Sequence, residues 1–206
     1  MYEKDFILQN RNNYVGAYFF HRYGSNFMEE RDIDSVYALF PDKIKSSFYL
    51  KKIAEKQTYS KLLKEGMAVP QLRLYNTKQK EVVLNSLFTK KITLVDIWAS
   101  WCVPCIQTHA LLKELHAKYN KGGLNIIGVS LDSKPDNWSK YLQKNPLPWT
   151  NFIDPKGENG ETNNIFNLVS GNGIPFFALI NDKGEYLKIG IEAEELESYI
   201  EGYLRR

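Results

Sequence analysis

No run of about 18 apolar residues occurs in this chain of 206 residues, so no transmembrane helix is expected. Cysteine is scarce: Cys102 and Cys105 are the whole complement, which excludes a separate disulfide framework. Charge of one sign is also lacking. Lys and Arg number 27 against 24 Asp and Glu, and the formal net charge of +3 is dispersed along the chain. No nucleic-acid or membrane-surface patch is read from it. The opening Met1-Tyr2-Glu3-Lys4-Asp5 has neither a basic n-region nor an apolar h-region, so it is not a signal peptide. Either the protein works in the cytosol or an export signal is missing from this chain. Repeats and low-complexity tracts are absent. What remains, 43% hydrophobic and 25% charged residues, is ordinary for a globular protein with one sizeable core and a smaller unit.

Residues 1–66 read as a helical segment without a chemical motif. Phe6 and Ile7, then Tyr14, Val15, Tyr18 and Phe19, fall at helical spacing. Asp32 is placed to cap a short helix carrying Val36, Leu39 and Phe40 and ended by Pro41. Ser46 or Ser47 is placed to cap a longer helix reaching Lys64, with Gly66 as its stop. The aromatics of this segment either pack on a neighbour or form a recognition surface. The abrupt helical entry at Met1 suggests more helix ahead of it in a longer parent chain.

Met67-Ala68-Val69-Pro70 reads as a linker, and residues 67–206 as the second domain, with an insertion at about 145–172. A hairpin is expected around Asn76-Thr77-Lys78, and a tight turn at Asp182-Lys183-Gly184. Strands are expected near 92–98, 124–130, 150–153, 176–180 and 185–188. Helices are expected near 104–119, 135–144, 161–168 and 192–204. This alternation predicts an α/β fold, a central mixed sheet with helices on both faces.

Both cysteines fall in Trp98-Ala99-Ser100-Trp101-Cys102-Val103-Pro104-Cys105, between the strand-like Ile92–Ile97 and a helical run. That junction puts the first sulfur at a helix N-terminus, where free backbone N–H groups and the helix dipole favour a thiolate. Cys-x-x-Cys thiols in such positions titrate at about 7 or below rather than about 8.5. The second sulfur is close enough to close a small disulfide ring, so the pair can exchange two electrons with a partner. A zinc site built from Cys102, Cys105, His109 and His116 is excluded by reach. On one helix the outer two lie roughly 21 Å apart at about 1.5 Å per residue, whereas tetrahedral zinc holds its ligands within about 2.3 Å. His109 reads as a helix-face residue, and His21 and His116 carry no signal.

The Ala-Ser-Trp-Cys-x-Pro-Cys form resembles the thioredoxin superfamily, in particular its TlpA/ResA-like thiol-disulfide oxidoreductases, as do Gly128-Val129-Ser130-Leu131-Asp132 and Gly173-Ile174-Pro175-Phe176-Phe177. The likeness covers roughly residues 66–206. The helical front end is similar to the extra segment of exported Bacteroidetes-type members. The resemblance implies a thioredoxin-like fold. It also implies that Cys102 attacks and Cys105 resolves, with Asp96 as the buried acid beneath them. Pro175, after Ile174, becomes the cis-proline facing the disulfide, and Trp98 and Trp101 flank the site on the client side. The resemblance implies no cofactor beyond the redox-active Cys102–Cys105 disulfide. It implies client proteins carrying disulfides or thiols, an upstream thiol electron donor, and a periplasmic or otherwise extracytoplasmic setting.

Two positions depart from the family pattern. A glutamate is frequent where this chain has Thr108, and a proline where it has Ala110. Asp96 is thereby left as the sole acid assigned to the proton of Cys105. Reduction of client disulfides is the leading expectation. Oxidase or isomerase work, or a non-catalytic binding module on the same fold, are the alternatives. A peroxiredoxin-type peroxidase is disfavoured, because its Pro-x-x-x-Thr-x-x-Cys pattern meets Val95 and Ala99 here.

Overall fold

Six apolar or β-branched residues in a stretch of seven, broken only by Asp96, would be wasteful on a surface strand. Ile92–Trp98 (β3) is buried along its whole length, so both faces of the sheet are covered at that strand. The computed structural model describes residues 2–24, 28–154, 156 and 173–205. The chain divides into two compact units, Met1–Lys61 and Leu62–Arg206.

In the second unit β3 lies near the middle of a mixed sheet. Arg73–Tyr75 (β1) and Glu81–Val83 (β2) form the expected hairpin, followed in the chain by β3, Leu124–Ser130 (β4), Thr150–Ile153 (β5), Phe176–Asn181 (β6) and Tyr186–Ile189 (β7). Their spatial order is β2-β1-β5-β4-β3-β6-β7. β3 runs parallel to β4 and antiparallel to β6, so Asp96 pairs with Gly128 on one side and Phe177 on the other. The smaller unit holds the helices Tyr2–Gln9 (α1), Tyr14–Phe19 (α2), Glu30–Ala38 (α3), Asp42–Lys45 (α4) and Phe48–Leu62 (α5). Val103–Tyr119 (α6), Pro135–Lys144 (α7) and Leu196–Leu204 (α8) belong to the larger one.

Local chemistry explains several boundaries. Pro104 sits in the first turn of α6 and Pro135 opens α7, where the missing N–H costs nothing. The turn after β6 closes through the Asn181 side chain, which accepts from the N–H groups of Lys183 and Glu185, and Gly184 takes a positive φ of 78° there. Leu112 and Leu115 of α6 and Leu196 and Ile200 of α8 pack on Ile92, Leu94, Leu124, Ile126, Phe177 and Leu179. Nearer the cysteines, Trp98, Trp138 and Ile153 form a second apolar group with both sulfur-bearing residues. Gly128 leaves the room that this group needs: a Cβ there would run into the Asn151 side chain and come within 3.0 Å of Trp98 Nε1.

Some sequence expectations need correction. Asp32 does not cap α3: Glu29 precedes that helix, and Asp32 lies inside it, 3.3 Å from Lys4. The longer helix α5 ends at Leu62 rather than Lys64, while Ser47 Oγ accepts from the Leu50 N–H at its start. Met67–Pro70 is not a free linker. Gly66 and Val69 donate to the carbonyls of Tyr186 and Gly184, and the Met67 carbonyl accepts from the Tyr186 N–H. Extended backbone next to an edge strand finds hydrogen bonds there, which composition does not reveal. In the smaller unit the core is Ile7, Ala17, Phe20, Val36, Phe40, Leu50 and Ile53, with Phe20 stacked on Phe40. Phe6, Tyr14, Val15 and Tyr18 are exposed. The short helix expected near 161–168 lies outside the described residues.

Candidate active site

β3 delivers the chain to the site and α6 leaves from it. Between them Cys102 takes extended geometry (φ −85°, ψ 99°) as the N-cap of α6, and its Sγ accepts from the Cys105 N–H at 3.3 Å. The two sulfurs are bonded, with Cα atoms 5.3 Å apart. The same N–H, at the positive end of the helix, would hold a thiolate on Cys102 once the pair is reduced. Cys102 is 5% exposed and Cys105 fully buried. Their chain neighbours Trp101 and Val103 are both exposed.

A second loop closes on the first. The Ile174–Pro175 peptide is cis, and the Ile174 carbonyl oxygen lies 3.6 Å from Cys102 Sγ. Ile174, Pro175, Phe176, Gly190 and Ile191 line a groove of about 450 Å³.

The approach to Cys102 is clamped from below. Buried Asp132 accepts from the Ser100 N–H and hydroxyl at 2.8 and 2.7 Å and from the Ser130 hydroxyl at 2.6 Å. The Leu131 N–H donates to the Trp98 carbonyl. Charge-assisted bonds to a carboxylate are the strong kind, so Ser100 and Trp101 are held relative to the end of β4. Ser130 and Asp132 were visible in the sequence only as part of the family likeness, with no role attached.

Asp96 is wholly enclosed. Burial raises its carboxyl above the usual range, and the neighbouring imidazole of His109 only partly offsets this. His109 is itself 4% exposed, and its Nε2 stands 3.6 Å from Asp96 Oδ2. Sequence reasoning left His109 as a plain helix-face residue. Its spacing of four from Cys105 was the available signal, because i and i+4 share a face. Thr108 supplies no acid; its hydroxyl donates to the Cys105 carbonyl at 2.8 Å. Trp98 also needs correction. It is fully buried, edge-on to His109 with ring centres 4.8 Å apart, so it packs beneath the sulfurs and does not face a client. His116 lies against Trp149, away from the cysteines. Among the described residues no group of three His, Cys, Asp or Glu is placed to hold a metal ion.

Known proteins resemble this chain in sequence and fold. The Redoxin family profile matches residues 64–204. The chain is 29% identical over 149 residues to the thiol-disulfide oxidoreductase ResA of Oceanobacillus iheyensis, which spans 70% of this chain and 73% of that one. It is 42% identical over 69 residues to the thiol:disulfide interchange protein CycY of Rhizobium leguminosarum bv. viciae, 33% of this chain and 36% of that one. Among solved structures, a thiol-disulfide oxidoreductase from Bacteroides fragilis aligns with a TM-score of 0.58 at 26% identity, covering 66% of this chain and 98% of that one.

Proposed function

The chain belongs to the Redoxin family, and from that premise we propose that it is a thiol-disulfide oxidoreductase that reduces disulfides in client proteins. One observation carries the reading: the only two cysteines form a disulfide whose first sulfur caps a helix and accepts a backbone N–H. The ResA and CycY likenesses support the same chemistry.

Mechanism follows from position. The Cys102 thiolate attacks a client disulfide, a bond forms between Cys102 and one client sulfur, and the other client sulfur leaves as a thiolate. Cys105 then attacks Cys102, restoring the internal disulfide and releasing the second client sulfur. Two electrons pass to the client. Asp96, kept protonatable by burial, takes the Cys105 proton. The groove along Ile174 and Pro175 receives an extended client segment, with the Ile174 backbone, whose carbonyl lies 3.6 Å from Cys102 Sγ, pairing with it. Trp101 supplies apolar contact at the rim. An upstream thiol donor must reduce the pair again. No cofactor is needed for this cycle. We place the work outside the cytoplasm, on the resemblance to exported members. No helix among the described residues is long and apolar enough to cross a membrane.

Alkylation tests the assignment of the two sulfurs. Reduced protein treated with iodoacetamide across a pH series should be modified first at Cys102, with Cys105 lagging because it is buried. Peptide mass mapping reads the site. Earlier modification of Cys105 near neutral pH reverses the roles.

A further inference from the structure

Asp96 and His109 pose an accounting problem that the cysteine chemistry alone does not answer. Neither carboxylate oxygen of Asp96 has a hydrogen-bond partner among the described residues, and neither does His109 Nε2. Buried polar atoms without partners are rare and call for an explanation. Here the orphans face each other at 3.6 Å, a distance that a small ring rotation turns into a hydrogen bond. The other ring nitrogen is engaged: Tyr141 Oη lies 3.4 Å from His109 Nδ1. Tyr141, on α7, is half-buried, whereas Asp96 and His109 are enclosed. The contacts therefore form a file from a sealed carboxyl, through an imidazole, to a phenol near the surface. The titratable groups in contact with the imidazole are Asp96 from β3 and Tyr141 from α7; the remaining ring contacts are Trp98 and Trp149. Cys105 precedes His109 by one turn of α6.

We propose that His109 and Tyr141 carry the proton of the resolving step from Asp96 out to solvent. The proposal rests on the Cys102 and Cys105 roles given above. As Cys105 closes on Cys102 and the client sulfur leaves as a thiolate, the Cys105 proton goes to Asp96. Asp96 gives it to His109 Nε2. The imidazole releases the hydrogen on Nδ1 to the Tyr141 oxygen, and Tyr141 releases its own hydroxyl hydrogen to water. The resolving proton has then left the core, Asp96 is again a carboxylate that can accept, and the imidazole, left protonated on Nε2, returns to its first tautomer by proton exchange with solvent before the next turnover. His109 is in this scheme a positioning residue: it acts on the sulfurs only through Asp96.

Stopped-flow oxidation of the reduced full chain by dithiobis-nitrobenzoate separates the steps. Attack by Cys102 releases one coloured nitrobenzoate thiolate, and resolution by Cys105 releases the second. In His109→Gln the first release should stay within about twofold of the unsubstituted protein, while the second slows by about tenfold or more. Tyr141→Phe, which removes one oxygen from a half-buried ring, should slow the second release alone, and it decides the matter if His109→Gln does not fold. A double variant supplies the readout that a packing defect would not mimic. Asp96→Asn with His109→Gln should be no slower than Asp96→Asn alone, because two residues of one file do not add. A wild-type second phase in both single variants, equal slowing of both phases, or additive slowing in the double variant overturns the proposal. A single release from the unsubstituted protein would instead overturn the cysteine roles themselves.

Discussion

Cys102→Ser should reduce insulin no faster than background, and Cys105→Ser should accumulate as a covalent adduct with its client. The asymmetry comes from the order of the steps. Attack requires a thiolate at the N-cap of α6, where the Cys105 N–H points at the sulfur. A serine hydroxyl in that place is un-ionised at neutral pH and forms no disulfide, so the cycle never starts. With Cys105 replaced, attack proceeds and the mixed disulfide has no internal thiol to resolve it. Non-reducing gels and intact mass measure both results. The effect is large in each case: the thiol that Cys102→Ser keeps, Cys105, is buried, and Cys105→Ser keeps no second cysteine to resolve the adduct. Normal turnover by Cys102→Ser contradicts the scheme.

Asp96→Asn should slow release of the mixed disulfide by about a hundredfold while changing the first attack little, the lower end of the ~10²–10⁴ typical of a positioned acid or base. Fluorescence of the tryptophans near the site follows the two steps, since Trp98 packs beneath the sulfurs and Trp101 lies beside them. The same substitution should stabilise the fold at neutral pH by about 1–3 kcal/mol, since it removes a buried carboxylate that lacks a hydrogen-bond partner. The pH dependence fixes the sign. The Asp96 carboxyl is raised in the folded state, so the native protein holds a proton that the unfolded chain releases at about 3.9. Its cost is absent below that pH and grows as pH rises towards the folded-state value. The stability gap between Asp96→Asn and the unsubstituted protein should therefore open with rising pH. Urea unfolding at a series of pH values measures it, and a gap that is constant or closes with pH rules out the buried acid as its origin.

Local patterns made much of this legible. The largely apolar β3, Pro104 just inside α6, Pro135 opening α7 and the Asn181–Glu185 turn announce themselves within a few residues of sequence. The bounds of β3 and α7 coincide with those expected, and α6 begins one residue earlier. What escaped was set by contacts between distant positions. Asp96 meets His109 across thirteen residues, and His109 meets Tyr141 across a further 32. No periodicity connects them. Ser100 is held by Asp132 for the same kind of reason. The family resemblance placed Trp98 on the client side, but alternation along β3 turns it to the same face as Asp96, into the core. In the smaller unit helical spacing identified the helices, but not which of their aromatics face solvent: Phe20 is buried, whereas Phe6, Tyr14 and Tyr18 are exposed.

The central claim is that Cys102 and Cys105 act as one two-electron couple poised to reduce clients. Equilibrating the protein with glutathione buffers, trapping free thiols and counting them by mass measures this directly. The account predicts that both thiols appear together, with a potential near the reductase end of the known range, about −270 mV. A potential near about −120 mV, or thiols that titrate one at a time, would contradict it.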